Sequence, residues 1–209
     1  MKLRALNTLY VLIYIFSGFS NAGAVLPEST PSGILADRVL PLAHIEQLDG
    51  SSQTPIIGLD RWRQAMHELR RSAEADLGWP VPRAVQSRAL MAAEPNEVDL
   101  ALVHAQYDRM LGDNVISAEV MALGALRETI YYGAEVAFRL DPERIFRHRT
   151  RGIASMTFDA GDGQSPRSLT PGQALKVSYA QRGVKTLTLV ATLDDGRTLM
   201  ARAAIEVKR

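Results

Sequence analysis

Four histidines (His44, His67, His104 and His148) and 23 acidic side chains are the groups from which this 209-residue chain could assemble a reactive centre. No two histidines stand four apart and no H-E-x-x-H occurs, so one helix face cannot present a zinc-ligand pair. Three would have to meet from unlike elements to hold zinc. Scattered like this, they read as surface or hydrogen-bonded residues, and no metal is assigned. Asp159, Asp162, Asp194 and Asp195 are the oxygen donors calcium prefers. Their spacing is not that of a calcium loop, and aspartate beside glycine hydrogen-bonds the backbone of its own turn, which is the preferred reading. Glu128, Glu135 and Glu143 are the residue type for two-carboxylate glycoside hydrolysis; nothing in the sequence fixes their separation, so they read as solvated acids. No G-x-S-x-G or S-x-x-K activates a serine. Gly161-x-Gly163 introduces no helix and is not a dinucleotide loop. Cysteine is absent, which removes thiol catalysis and thiolate metal sites. No catalytic residue and no cofactor is assigned.

Binding chemistry has better candidates. Among Trp62, Trp79, Tyr107, Tyr131 and Tyr132, the pair Tyr131-Tyr132 is the one read as surface-exposed, because adjacent extended residues point opposite ways. Arg144, Arg147, His148, Arg149 and Arg151 form a local basic run. An exposed loop is the preferred reading, and contact with an acidic glycan or partner is the functional one. The named binding residues are therefore Tyr131, Tyr132, Arg147 and Arg149.

The elements that carry them begin with a leader. Lys2 and Arg4 precede an uncharged apolar run, Leu9–Phe19, and Ala22-x-Ala24 has the form of a signal-peptidase site. Residues 1–24 read as a secretory signal peptide, shorter in its apolar part than a membrane span. They hold two basic and no acidic side chains, which leaves 22 basic against 23 acidic residues afterwards. So balanced a chain makes no electrostatic case for nucleic acid or anionic lipid.

Residues 25–58 are rich in Pro, Ser, Thr and Gly and read as a loosely ordered leader, in which Ile34–Leu48 forms a short strand or lies on the next unit. In 59–133, a helix is predicted from Asp60 to Asp76: Leu59, Trp62, Met66, Leu69 and Ala73 share one face. Asp60 is its expected N-cap, and Gly78 with Trp79-Pro80-Val81-Pro82 its stop. Arg83–Met91 reads as a second, weaker helix; Val98–Ala105 reads as a strand by its dense apolar run, with a helix the alternative its Ala and Leu content allows; and 117–132 reads as a helix or irregular connector.

From 134 the period becomes two. Val136, Phe138 and Leu140 share a face, as do Ala154, Met156 and Phe158, and Leu175, Val177 and Tyr179. Leu187, Leu189, Ala191 and Leu193 form the longest such run, and Leu199, Ala201, Ala203, Ile205 and Val207 return after the hairpin turn Asp194-Asp195-Gly196. Such strands predict an antiparallel sandwich.

The ordered set Phe158-Asp159-Ala160-Gly161-Asp162-Gly163, Tyr179 and Gly183 resembles the PKD family of extracellular β-sandwich modules over about residues 134–207. Asp159, Gly161, Asp162 and Gly163 match its turn, and Tyr179 and Gly183 match its corner. Phe158 and Ala160 stand where the family usually carries larger aromatics. The resemblance implies a non-catalytic module that spaces domains or contacts polysaccharide or protein.

The expected architecture is α+β: a small helical N-terminal region and, over 134–209, an antiparallel Ig-like or PKD-like β-sandwich. The expected role is an exported, periplasmic or extracellular structural or interaction module, the front of a larger secreted or cell-surface bacterial protein. Its partner would be a protein or polysaccharide, with no nucleic acid and no membrane span after signal cleavage. The alternatives are a hydrolase with its site in residues 79–132, or a carbohydrate-binding module.

Overall fold

The structure, a computed structural model, describes residues 31–94, 96–131 and 135–208. The signal peptide, the start of the leader and Tyr132 fall outside them. No helix among the described residues is long and apolar enough to cross a membrane.

Two sheets face each other, and a helical layer covers the outer face of one. The first sheet is built on a long hairpin, β10 (Gly183–Leu193) and β11 (Thr198–Lys208). β7 (Ile153–Asp159) extends it beyond β10, followed by β8 (Arg167–Ser168), while β1 (Ile56–Ile57) and β4 (Thr129–Tyr131) lie along the far edge of β11. The second sheet is built on another long hairpin, β2 (Glu97–Leu111) and β3 (Asn114–Ala125). β5 (Glu135–Arg139) and β6 (Ile145–His148) run parallel to β2 on its other side, and β9 (Ala174–Ser178) completes the sheet. Strands from both sides of position 133/134 thus share one sheet.

The alternation read from residues 187–193 and 199–207 is the observed inner face of the first sheet: those leucines, alanines, Ile205 and Val207 are all buried. They meet Leu100, Leu102, Met121, Leu123, Phe138 and Phe158 in one core. Phe138 and Phe158 pack across it with ring centroids 5.3 Å apart.

A second core lies on the outer face of β2 and β3. Ala101, Val103, Ala105, Tyr107, Val120 and Ala122 point away from the sandwich and meet Trp62, Met66 and Leu69 of α1 (Leu59–Ser72), with Val85 and Ala89 of α2 (Pro82–Ala92). Trp62 lies flat over Gly124, where an added Cβ would sit 2.6 Å from the indole. Phe146 joins the cluster, 6.4 Å from Trp62 and 5.9 Å from Trp79.

This double burial explains the reading that fails. Residues 117–132, expected as a helix or connector, are most of β3 and all of β4. A strand apolar on both faces loses the period-two signal, and Ala118, Met121, Ala122, Leu123 and Ala125 then read like a helix.

Three smaller corrections have local causes. The N-cap of α1 is Gly58, not Asp60. Asp60 sits within the first turn, where its charge suits the helix dipole. The helix stops at Ser72 instead of Asp76, because the chain there pairs with Gly33–Leu35: Leu35 donates to the Ser72 carbonyl and Glu74 to that of Gly33, at 3.1 and 2.8 Å. Of the two readings of Ile34–Leu48 the short strand gives way to the segment lying on the next unit, as two isolated bridges and two 3-10 turns, Ala36–Arg38 and Ile45–Gln47. Buried Glu68 fixes this segment, its Oε1 accepting the N–H groups of Leu42 and Ala43 at 2.8 Å each.

Candidate functional site

The β2–β3 hairpin is longer than the sandwich it belongs to. Past Ala105 and Val120 the sandwich-side positions turn polar, with Gln106 opposite Glu119 and Asp108 opposite Ser117. Two loops rise against this outer half, Arg149–Arg151 after β6 and Arg197 in the β10–β11 turn. Together they enclose a recess of about 660 Å³, lined by Gln106, Ser117, Glu119, Arg149, Arg151 and Arg197 among others.

Local contacts fix each wall. Gly152 lets the arginine loop close on the β10–β11 turn: its carbonyl accepts the Asp194 N–H at 3.0 Å, and a Cβ there would lie 1.7 Å from the Asp194 carboxylate. Arg149 has a left-handed backbone, φ 50°, and donates to the Pro31 carbonyl. His148 bonds the carbonyl of Ser32 at 2.7 Å. Asp108, buried, accepts the Ser32 N–H at 2.6 Å and the Ser32 and Ser117 hydroxyls at 2.9 and 2.6 Å.

The one carboxylate lining the recess among the described residues is committed. Glu119 Oε1 accepts from His104 Nε2 at 2.8 Å and Oε2 from Arg197 at 2.9 Å. The His104 bond, aided by Arg197 and opposed by burial, holds the Glu119 carboxyl below the usual glutamate range. A carboxylate with a donor on each oxygen, acidified by them, is a poor general base. His104 lies wholly beneath the strand surface, at 0% exposure, with no hydrogen-bond partner for Nδ1 among the described residues. The Ser117 hydroxyl is bound to a carboxylate and not to an imidazole. What remains available is charge: Arg197 is spent on Glu119 and on Asp195, each at 2.9 Å, so the guanidiniums of Arg149 and Arg151 make the recess cationic, and guanidinium is suited to carboxylate, sulfate or phosphate.

Of the residues singled out in the sequence, Arg149 and, from the same basic run, Arg151 lie in this recess. Arg147 folds over its own turn, donating to the carbonyls of Thr150 and Arg151 at 3.2 and 2.6 Å, and borders a separate recess with Ile145 and Met156. Arg144 leaves the basic run altogether: it pairs with buried Asp99 at 2.8 Å and with Asp141, where an exposed loop residue was expected. Tyr131 is exposed at the end of β4, opposite Lys208 on the edge of the first sheet, and does not line the arginine recess.

The glycine-aspartate motif forms a corner. Asp159 Oδ1 accepts the Gly161 N–H at 2.8 Å, Asp162 Oδ1 accepts that of Gln164 at 3.3 Å, and Asp162 Oδ2 accepts from Arg167 at 2.7 Å. Buried Tyr179 donates its hydroxyl to the Ala160 carbonyl at 2.7 Å, closing the corner against Phe158. Gly161, at φ 68°, passes so close to β10 that a Cβ would stand 2.6 Å from the Thr186 carbonyl oxygen. Gly163 and Gly183 also have positive φ, 81° and 108°. In the other turn, Asp195 Oδ1 accepts the Arg197 N–H at 3.1 Å. Among the described residues, no three His, Asp or Glu side chains gather as a metal site.

Neither a protein-family model nor a curated protein matches the chain. Solved structures that it is similar to include the PKD1 domain of Vibrio anguillarum Epp (19% identity, 52% of this chain and 94% of that one, TM-score 0.26). The PKD1 domain of the Vibrio cholerae metalloprotease PrtV is another, at 21% identity, 52% and 99% coverage and TM-score 0.26. The fibronectin(III)-like modules of Clostridium thermocellum CbhA are a third, at 21% identity, 39% and 86% coverage and TM-score 0.28. With TM-scores this low, the sandwich rests on the strand pairings described above.

The residues that sequence reasoning missed are Gln106, Ser117, Glu119 and Arg197. A signal for the first existed: the apolar run of β2 gives way to polar alternation at Gln106 and Asp108. It pointed nowhere while the partner strand was read as a helix or irregular connector.

Proposed function

We propose that this chain is a non-catalytic, exported interaction module, the front of a larger secreted or cell-surface bacterial protein, which holds an acidic group of a partner in the arginine recess. The observation that carries this reading is the double engagement of Glu119, which leaves a polar recess whose unspent chemistry is guanidinium. Export rests on the basic, apolar and small-residue order of residues 1–24. Each solvent-facing arginine contributes about 0.2–1 kcal/mol to such a contact, so binding is weak and salt-sensitive.

The test is binding of the purified chain to an array of acidic and neutral glycans and peptides, at low and at physiological salt. Acidic probes are expected to bind, more weakly as salt rises, and Arg151→Ala is expected to weaken them while leaving the melting temperature unchanged. Equal binding of neutral and acidic probes would sink the assignment, as would turnover of a glycan or ester substrate that Glu119→Gln abolishes.

A further inference from the structure

The two long edges of the β2–β3 hairpin are treated differently. On the β2 side the outer half is covered: the Asp108 N–H donates to the Ile34 carbonyl at 2.7 Å and the Met110 N–H to Asp37 Oδ2 at 2.6 Å. On the β3 side, the Met121 N–H donates outward to the Leu48 carbonyl at 2.7 Å. Backbone direction alternates along a strand, so the amide groups of Val115, Ser117 and Glu119 face the same way as that of Met121, away from β2. They make no hydrogen bond with any described residue. β3 is the terminal strand of its sheet. Val115 and Ile116 are exposed, and no proline or lysine blunts the stretch 114–119. An unpaired edge of this kind is a template for another strand.

Ser117, Ala118 and Glu119 belong both to this edge and to the arginine recess. A chain laid along β3 about 4.8 Å away would send alternate side chains to the recess side, level with Ser117 and Glu119. The others would fall on the opposite face, beside Ile116 and Ala118. The recess side offers Arg149 and Arg151; the opposite face offers apolar surface. We infer that the outer half of β3 takes up an extended peptide as an added strand, with acidic side chains on the recess side alternating with apolar ones on the other. This rests on the reading of the recess as an acid-binding site and names its partner class. A row of outward N–H and C=O groups is matched by a peptide backbone, which a glycan lacks.

The test uses the full chain and a fluorescent peptide of alternating valine and glutamate, read by anisotropy. Two further probes run beside it: the same peptide N-methylated at alternate amides, and an oligogalacturonate of similar charge. The plain peptide is expected to bind, and methylation in one of the two alternating registers to weaken it about tenfold, as loss of two or so main-chain bonds would. Val115→Pro removes an outward amide that β2 does not use, so it is expected to weaken the peptide and leave oligogalacturonate unaffected. If that variant fails to fold, the methylated probes on the native chain still decide. Equal binding of plain and methylated peptides in both registers overturns strand addition while leaving the acid-binding recess intact. An oligogalacturonate that outbinds the peptide does the same. Should Arg151→Ala leave every probe unaffected, the recess reading itself fails, and the inference with it.

Discussion

The inner and outer halves of the β2–β3 hairpin are continuous strands under opposite constraints. The inner half, about 98–105 paired with 120–125, is buried on both faces, with one core toward the other sheet and one toward α1. The outer half keeps apolar residues such as Tyr107 and Ala118 on the helix side but turns polar on the sandwich side, and there the charged and hydroxyl side chains collect. The first half supplies stability and rigidity. The second uses that rigidity to hold polar groups in place without having to build the core itself, the division expected when sites sit on firm elements.

Substitutions can test that division. The largest effect is expected in the inner half: Trp62→Ala should cost about 3–5 kcal/mol, read as a shift in urea midpoint. Gly124→Ala should cost about 1–3 kcal/mol by overpacking, and most of that cost should vanish in the Trp62→Ala background, because the clash is with the indole. Additive costs would show that Gly124 is required for something other than the ring.

An intermediate effect is expected where the halves meet. Glu119→Gln leaves His104 and Arg197 less well paired and should cost about 1–3 kcal/mol at neutral pH. The Glu119 carboxyl is held below the ordinary range. Its contribution is therefore complete above the unfolded-state value and is lost as pH falls through the lowered folded value. The stability gap between the native chain and the variant should accordingly close on acidification; a gap that widens would reverse the assigned direction. The smallest effects on stability belong to the outer half. Arg151→Ala should move the melting temperature by less than a degree or two, as surface substitutions do, and be felt only in binding.

Much of the first sheet was legible because its strands are wet on one face. Thr186, Thr188 and Thr192 alternate with buried leucines and an alanine, and that period survives in the sequence. The glycine-aspartate corner was legible for a different reason: Gly161 and Tyr179 are demanded by a close approach to Thr186 and a single hydrogen bond to Ala160, each tied to one residue type. β3 was not legible, since burial on two faces erased its period. With β3 went the site, because Ser117 and Glu119 acquire meaning only when placed across from Asp108 and Gln106. Arg144 and Arg149 show the same limit. Five positions apart in one basic run, they go to a buried ion pair and to a recess wall, and which arginine goes where is decided by Asp99 and Pro31, distant in the chain.

Because successive side chains of β2 alternate between the two cores, neither core can melt alone. Loosening α1 withdraws support from Val103, and the same backbone carries Leu102 on the far side. Hydrogen exchange should therefore report one opening free energy for the amides beneath the helices and for those between the sheets, so that an insult at Trp62 is felt at Phe158, across the whole thickness of the molecule.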